Sequence, residues 1–154
     1  MQNVTVTIVA TNVPAAYEDR FREIMDKHLY EQYESELDAG EASFCGEAQC
    51  SPQEISTALR ELMNGDPVPA EFAYRVWTDP IDGWLGDIRV FVPGVGEFNG
   101  ECDGGGNVVV TASRLAALID SATDFDALKE QIVVLTGRRH TAAYAAYDAL
   151  VGAS

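Results

Sequence analysis

The sequence predicts an α+β fold: an antiparallel sheet of about four to five strands, with helices mainly on one face and the C-terminal helices packed on or beside the sheet. Three observations lead to this prediction. Short segments of alternating apolar and polar residues are separated by turn-forming clusters. Segments with helical periodicity flank them on both sides. Hydrophobic residues make up 47% of the 154 residues, which is enough for one ordinary core.

The N-terminal part of the chain is expected to form a strand followed by a long helix. Residues 3–11 alternate β-branched and polar side chains, which is typical of a strand with one buried face. Pro14 fits the first turn of a helix, and apolar residues then recur at helical spacing as far as Leu29. We therefore expect a helix over about 14–37, with Gly40 available for a left-handed cap at its end.

The middle of the chain predicts a helix and a meander. A weak strand pattern at 41–48 precedes a strong helix start at 51–54, where Ser51 and Glu54 can form a capping box. Asn64-Gly65 ends this helix. Turn clusters then separate four short segments, which predicts antiparallel strands; these cover about 72–77, 88–92, 97–102 and 108–110.

Three helices are expected after residue 110, because apolar residues recur there at helical spacing between capping and terminating residues. The last of them covers about 138–151. No repeat or change of composition divides the chain, so we treat 1–154 as a single globular domain with a candidate sub-structure break near 66–70. Thr111 or Ser113 can cap the first of these three helices, and Thr123 or Asp124 can cap the second.

The net charge excludes several classes of partner. The chain has 25 acidic and 10 basic residues, a net charge of −15, which disfavours direct contact with nucleic acid or with anionic membranes. No segment reaches the roughly 18 consecutive apolar residues of a membrane span, and the first residues lack the features of a signal peptide. We therefore expect a cytoplasmic protein without a cofactor, whose cysteines (Cys45, Cys50 and Cys102) are free thiols.

One long stretch of the chain carries only negative charge. No lysine or arginine lies between Lys27 and Arg60, where seven acidic residues occur. On the expected helix, Glu31, Glu34 and Asp38 share one face at a spacing of about 5 Å along the axis. Such a row can imitate nucleic acid phosphates and bind a basic protein surface, whereas the alternative is an ordinary solvated helix face. The candidate partner-binding residues here are Glu31, Glu34, Glu36, Asp38, Glu41 and Glu47.

A second group of acidic residues lies on the expected meander. The turns at 79–83 and 103–107 place oxygen atoms near tight backbone, but neither has the spacing of an EF-hand calcium loop. Turn formation by Asp, Asn and Gly accounts for both segments, and we expect no bound metal. The candidate partner-binding residues of this group are Asp79, Asp82, Asp87, Glu101 and Asp103.

Two tryptophans, Trp77 and Trp84, flank the turn at 79–83. They either pack together in the core or form an exposed aromatic anchor for a partner, because tryptophan contributes strongly to protein interfaces. The sequence leaves both arrangements open.

The leading functional hypothesis is a small acidic binding protein that occupies a basic surface of a protein partner. One form of it is a nucleic-acid-mimicking inhibitor of the phage or mobile-element type, whose partner is a nucleic-acid-binding protein. Two alternatives stay open: a small-molecule or metal-dependent enzyme that uses carboxylates of the 79–107 region, and an assembly protein that pairs through Trp77 and Trp84. No catalytic motif is recognisable, so an enzyme is the less favoured class. The sequence does not indicate an oligomeric state.

Overall fold

The fold is given by a computed structural model that describes residues 3–65 and 70–152. Within these residues, six strands form one antiparallel sheet, accompanied by five α-helices and a 3-10 turn at Ala15–Tyr17. The strands are β1 (Val4–Thr11), β2 (Leu29–Asp38), β3 (Glu41–Ala48), β4 (Ala73–Thr78), β5 (Gly86–Val92) and β6 (Gly96–Cys102). The helices are α1 (Glu18–His28), α2 (Pro52–Asn64), α3 (Ala112–Ser121), α4 (Phe125–Leu135) and α5 (Arg138–Gly152).

The strand order is β2-β3-β1-β4-β5-β6, with every neighbouring pair antiparallel. The first six elements therefore follow the β-α-β-β-α-β order of a ferredoxin-like unit, and β5 and β6 extend its sheet beyond β4. The predicted α+β class with an antiparallel sheet is confirmed, with six strands instead of about four to five.

The expected helix over 14–37 is wrong in its second half. Helix α1 ends at His28, and the chain continues directly as the edge strand β2. The pairing of β2 with β3 has two irregularities, between Leu29 and Glu31 and between Gln32 and Glu34, which interrupt the alternation of buried and exposed residues that would identify a strand. Gly40 consequently lies in the tight turn between β2 and β3, together with Ala39, and both residues have positive φ.

The main core lies between one face of the sheet and helices α1 and α2. Alternate residues of β1 (Val6, Ile8 and Ala10) are fully buried on this face. The ring of Phe21 on α1 lies 5.7 Å from that of Phe44 on β3 and 6.0 Å from that of Phe72. These aromatic contacts pack α1 against the covered face of the sheet.

A buried polar network attaches helix α2 to the sheet. The hydroxyls of Ser56 and Tyr74 share a short hydrogen bond, and Ser56 Oγ donates to Glu97 Oε1 at 2.9 Å. Arg60 Nη1 donates to Glu97 Oε2 at 2.9 Å. Ser56 and Tyr74 are at most 1% exposed, so their hydrogen bonds satisfy hydroxyls that burial would otherwise leave unpaired.

A second, smaller cluster lies on the opposite face of the sheet, over β4, β5 and β6. It contains Trp77, Ile88, Val90 and Phe98, and side chains of α5 pack against it. Helix α5 contacts β5 and β6, which matches the expectation that C-terminal helices pack on or beside the sheet. Helix α5 also approaches β1: Val9 of β1 packs against the same cluster, and Asn12, the residue after β1, donates from Nδ2 to Tyr147 Oη at 3.0 Å.

Most other predicted elements are found close to their expected positions. Ser51 and Glu54 form the predicted capping box at the start of α2. The expected strand at 108–110 is reduced to a single bridge between Cys102 and Val108. Residues 66–69 of the candidate break near 66–70 lie outside the described part of the chain. No helix among the described residues has the length and apolar character needed to cross a membrane.

Candidate partner-binding surface

Six of the predicted acidic residues lie together on an open face of the sheet. On the covered side of β2 and β3, Leu37, Ala42 and Phe44 are buried against the main core. Because side chains of a strand alternate between the two faces, their neighbours point to the other side. The acidic sheet face, as we name this group, consists of Glu31, Glu34, Glu36 and Asp38 on β2 and Glu41 and Glu47 on β3.

The bulge at Tyr33 in β2 brings Glu31 to this face. Strict alternation counted back from Leu37 would turn Glu31 towards the helices. The pairing of β2 with β3 shifts by one residue at Tyr30 and again at Tyr33, so that Glu31 lies opposite Glu47 and Glu34 opposite Cys45. The bulge at Tyr33 therefore adds a fourth carboxylate to the row formed by β2.

The close approach of the bulged strand requires a glycine on β3. A Cβ atom at Gly46 would collide with the carbonyl oxygen of Glu31. Gly46 thus permits the backbone contact that the first bulge needs.

Like charges face each other across the two strands. Glu31 is directly opposite Glu47, and Asp38 is directly opposite Glu41. Such pairs destabilise a sheet. The ion pairs formed by the described residues lie elsewhere, at Arg60–Glu97, Arg89–Asp87, Arg114–Glu101 and Arg139–Glu130. Within the described part of the chain, no ion pair therefore neutralises a carboxylate of the acidic sheet face.

Hydroxyl groups hold two of these carboxylates in place. Glu47 Oε1 accepts hydrogen bonds from Thr5 Oγ1 at 3.1 Å and from Tyr33 Oη at 3.0 Å. Glu41 Oε1 accepts one from Thr11 Oγ1 at 2.7 Å. The hydrogen bond to Glu47, followed by desolvation and the negative charges nearby, raises the pKa of Tyr33 to about 12. These contacts orient the carboxylates without neutralising them.

Two tyrosines at this surface, Tyr30 and Tyr33, were not among the residues predicted from the sequence. Tyr30 is 54% exposed and Tyr33 60% exposed, both at the bulges among the carboxylates. The sequence does contain a signal for the strand, because acidic residues (Glu34, Glu36 and Asp38) alternate with Ser35 and Leu37. An alternation of this kind, with a period of two, predicts a strand instead of a helix.

The second acidic group does not join the acidic sheet face. Asp87 and Glu101 lie opposite each other on β5 and β6, where Arg89 lies 3.6 Å from Asp87 and Arg114 lies 3.2 Å from Glu101. Burial raises the pKa of Asp87, although Arg89 opposes this effect. These two carboxylates are therefore partly neutralised by their arginine partners.

Three further residues of the second group lie in turns. Asp103 Oδ1 accepts hydrogen bonds from the backbone N–H groups of Gly105 and Asn107, both at 2.9 Å, and the hydrogen bonds with Asn107 lower its pKa. Asp82 has a positive φ in the turn after β4, and the backbone N–H of Asp79 donates to the carbonyl of Thr5. Asp103 thus has a clear role in forming its own loop.

The two tryptophans occupy different environments. Trp77 is 7% exposed, its Nε1 donates to the carbonyl of Gly104 at 3.2 Å, and the Arg75 guanidinium lies 5.0 Å from its ring centre. Trp84 is 79% exposed, beside a turn closed by two hydrogen bonds with Ile81. They do not pack together as a buried pair, and Trp84 alone has the exposure of an anchor.

The described residues offer little for metal or thiol chemistry. Among residues 3–65 and 70–152, no group of three or more His, Cys, Asp and Glu side chains is arranged to hold a metal ion. The three cysteines are free. Burial raises the pKa of Cys102 to about 12 and also raises the pKa of Cys50, so both thiols are less ionised than a free cysteine.

Comparison with known proteins identifies the family. Residues 40–151 match the model of a family described as protein of unknown function (DUF3145), and the chain belongs to this family. The match covers β3 to α5, whereas β1 and β2 lie before it. No curated protein and no solved structure matches the chain.

Proposed function

We propose that this member of the DUF3145 family is a small acidic binding protein, whose acidic sheet face docks on a basic surface of a protein partner. The observation that carries the proposal is the concentration of six carboxylates on an open sheet face, none of which forms an ion pair with another described residue. Arginine and lysine side chains of a partner would neutralise charges that now repel one another, which favours association and accelerates it.

The geometry of the face suits a rigid contact. Three carboxylates along β2, from Glu34 to Asp38, repeat at about 6.7 Å because every second residue of a strand points the same way. The hydroxyls of Thr5, Thr11 and Tyr33 orient the carboxylates of β3 before any partner binds. Preorganised charges lose less entropy on binding. The exposed rings of the two bulge tyrosines add apolar area of the kind that dominates interface energy.

The proposal includes the inhibitor form, in which the basic surface of the partner is its nucleic-acid site. The regular row of negative charges on β2 supports this form, since such a site recognises evenly spaced phosphates. Duplex DNA or RNA would then compete with this chain for the partner. A partner that binds the chain and a nucleic acid simultaneously would limit the proposal to a basic surface outside the nucleic-acid site.

The experiment compares two variants with equal loss of charge. In the face variant, all four β2 carboxylates are neutralised: Glu31→Gln, Glu34→Gln, Glu36→Gln and Asp38→Asn. In the control variant, four exposed carboxylates elsewhere are neutralised: Glu23→Gln, Glu61→Gln, Glu71→Gln and Asp120→Asn. Partners captured from the native host by the wild-type chain at low salt are purified, and their affinity for the three proteins is measured at several salt concentrations.

We expect the face variant to bind at least about tenfold more weakly than the wild type, because several charge-assisted contacts are lost together. The control variant should lose much less, and the wild-type affinity should fall as salt rises. Equal affinities of the two variants would exclude the acidic sheet face as the binding surface. An affinity independent of salt would exclude the electrostatic mechanism.

A further inference from the structure

The C-terminal helices leave much apolar surface uncovered. Across residues 112–150, all of which the structure describes, Gly137 is the one buried residue. Helices α3 and α4 contain no buried residue, although Ile119 is 53% exposed, Phe125 71% and Val134 61%. Apolar surface concentrated in this way usually marks an interaction site in a soluble protein. We therefore expect the exposed apolar surface of the α3–α4 hairpin to be covered by another molecule.

The hairpin carries an apolar groove between its two helices. The groove has a volume of about 310 Å³, and its apolar lining consists of Leu118, Val134 and Leu135. Val134 is largely exposed, whereas Leu118 and Leu135 are half-buried beside it. The apolar side chain of Val134 thus projects from the same surface that carries the apolar groove of Leu118 and Leu135. This is the self-complementary arrangement that a two-fold contact between identical chains requires.

The charge distribution also favours a second copy of the chain as the occupant. Residues 112–150 contain four basic and five acidic side chains, a net charge of −1, which leaves −14 of the total −15 for the rest of the chain. Two copies therefore repel each other least where their C-terminal helices meet.

We propose that two copies of this chain associate through their α3–α4 hairpins and form a four-helix bundle, with Val134 of each copy inserted between Leu118 and Leu135 of the other. The helices are about 15–17 Å long, so the contact is smaller than the roughly 800 Å² per partner of a standard interface. The dimer should therefore depend on concentration in the micromolar range. Such a dimer leaves both acidic sheet faces open.

The proposed dimer responds to salt in the opposite way to the proposed partner binding. Added salt screens the repulsion between two strongly negative bodies, so dimerisation should strengthen by about tenfold between 0.05 M and 0.5 M NaCl. Binding of a basic partner to the acidic sheet face should weaken over the same range. Failure of one proposal is therefore distinguishable from failure of the other.

The test is the molar mass in solution, measured by sedimentation equilibrium or by light scattering with size exclusion over about 1–500 μM protein. The disrupting variant is Val134→Glu, which places a charge in the groove at an exposed helix position and preserves helix propensity. Two controls introduce the same charge at other exposed apolar residues: Val95→Glu after β5 and Trp84→Glu beside the turn at 79–83. Circular dichroism checks that each variant is folded.

We expect the wild type and both controls to rise from 16.7 kDa towards twice this mass with increasing concentration, while Val134→Glu stays monomeric. A wild type that stays monomeric at the highest concentration and salt would overturn the proposal. Loss of the dimer in Trp84→Glu but not in Val134→Glu would also overturn it and place the contact at Trp84. A Val134→Glu variant that is folded and still dimerises as the wild type does would exclude the groove.

Discussion

The acidic sheet face should lower the stability of the isolated chain, and removing its like-charged pairs should raise it. The perturbation is the double variant Glu31→Gln/Asp38→Asn, which neutralises one member of each directly opposed pair while keeping size and hydrogen-bonding capacity. Glu47 and Glu41 are left unchanged because they accept hydrogen bonds from neighbouring hydroxyls. Any increase in stability then comes from relieved repulsion.

The expected magnitude follows from the register of β2 and β3. Two unit charges at about 5.5 Å repel by about 0.8 kcal/mol in water, and cross-strand pairs change sheet stability by about 0.2–1 kcal/mol. Two pairs therefore cost about 1 kcal/mol together at low salt. For a chain of this length, relieving that repulsion raises Tm by about 2–4 °C. In 1 M NaCl, where the Debye length is about 3 Å, the gain should nearly disappear.

The assay is thermal unfolding at 20 mM and at 1 M NaCl, with urea unfolding for the free-energy difference. The double variant Glu23→Gln/Glu71→Gln serves as the control, because it removes two exposed charges away from the acidic sheet face and so measures the general benefit of a lower net charge. A Glu31→Gln/Asp38→Asn variant no more stable than this control at low salt would refute the repulsion that we infer from the register.

Three further predictions concern the fold that supports the face. Tyr74→Phe should destabilise the chain by about 1 kcal/mol in urea unfolding, because Ser56 loses a buried hydrogen-bond partner; an unchanged midpoint would contradict this. Gly46→Ala should displace β2 and increase hydrogen exchange of its amides, because the added Cβ meets the carbonyl of Glu31; unchanged protection would show that the bulge tolerates a side chain. The pKa of Cys102 is raised to about 12, so its thiol should resist alkylation at pH 8 in the folded chain while all three cysteines react in urea. The unfolded thiol ionises first, so stability should fall with rising pH between about 9 and 12.

The regular elements of this fold can be predicted because their signals are local. The capping box at Ser51 and Glu54 and the alternation in β1 identified their elements from a few neighbouring residues. The boundary between α1 and β2 could not be found in this way. Tyr30 and Tyr33 are the extra residues of two bulges, and a bulge arises from pairing with β3, which a local pattern does not contain.

The candidate site was predictable in its residues but not in its arrangement. The stretch without lysine or arginine identified the acidic residues, whereas their common face depends on the register of two strands. The ion pair between Glu101 on β6 and Arg114 on α3 likewise depends on a tertiary contact, whereas Asp87 and Arg89 are two residues apart on the same strand. The environment of Trp77 could not be predicted locally either, because its burial depends on contacts with Arg75 and with the loop at 103–107.

The most direct test of the central claim is hydrogen–deuterium exchange of the chain alone and in complex with a partner captured at low salt. If the acidic sheet face is the binding surface, protection should increase in peptides of β2 and β3, between Leu29 and Ala48, and this increase should be absent in the face variant. Protection confined to other parts of the chain, with β2 and β3 unchanged, would contradict the account.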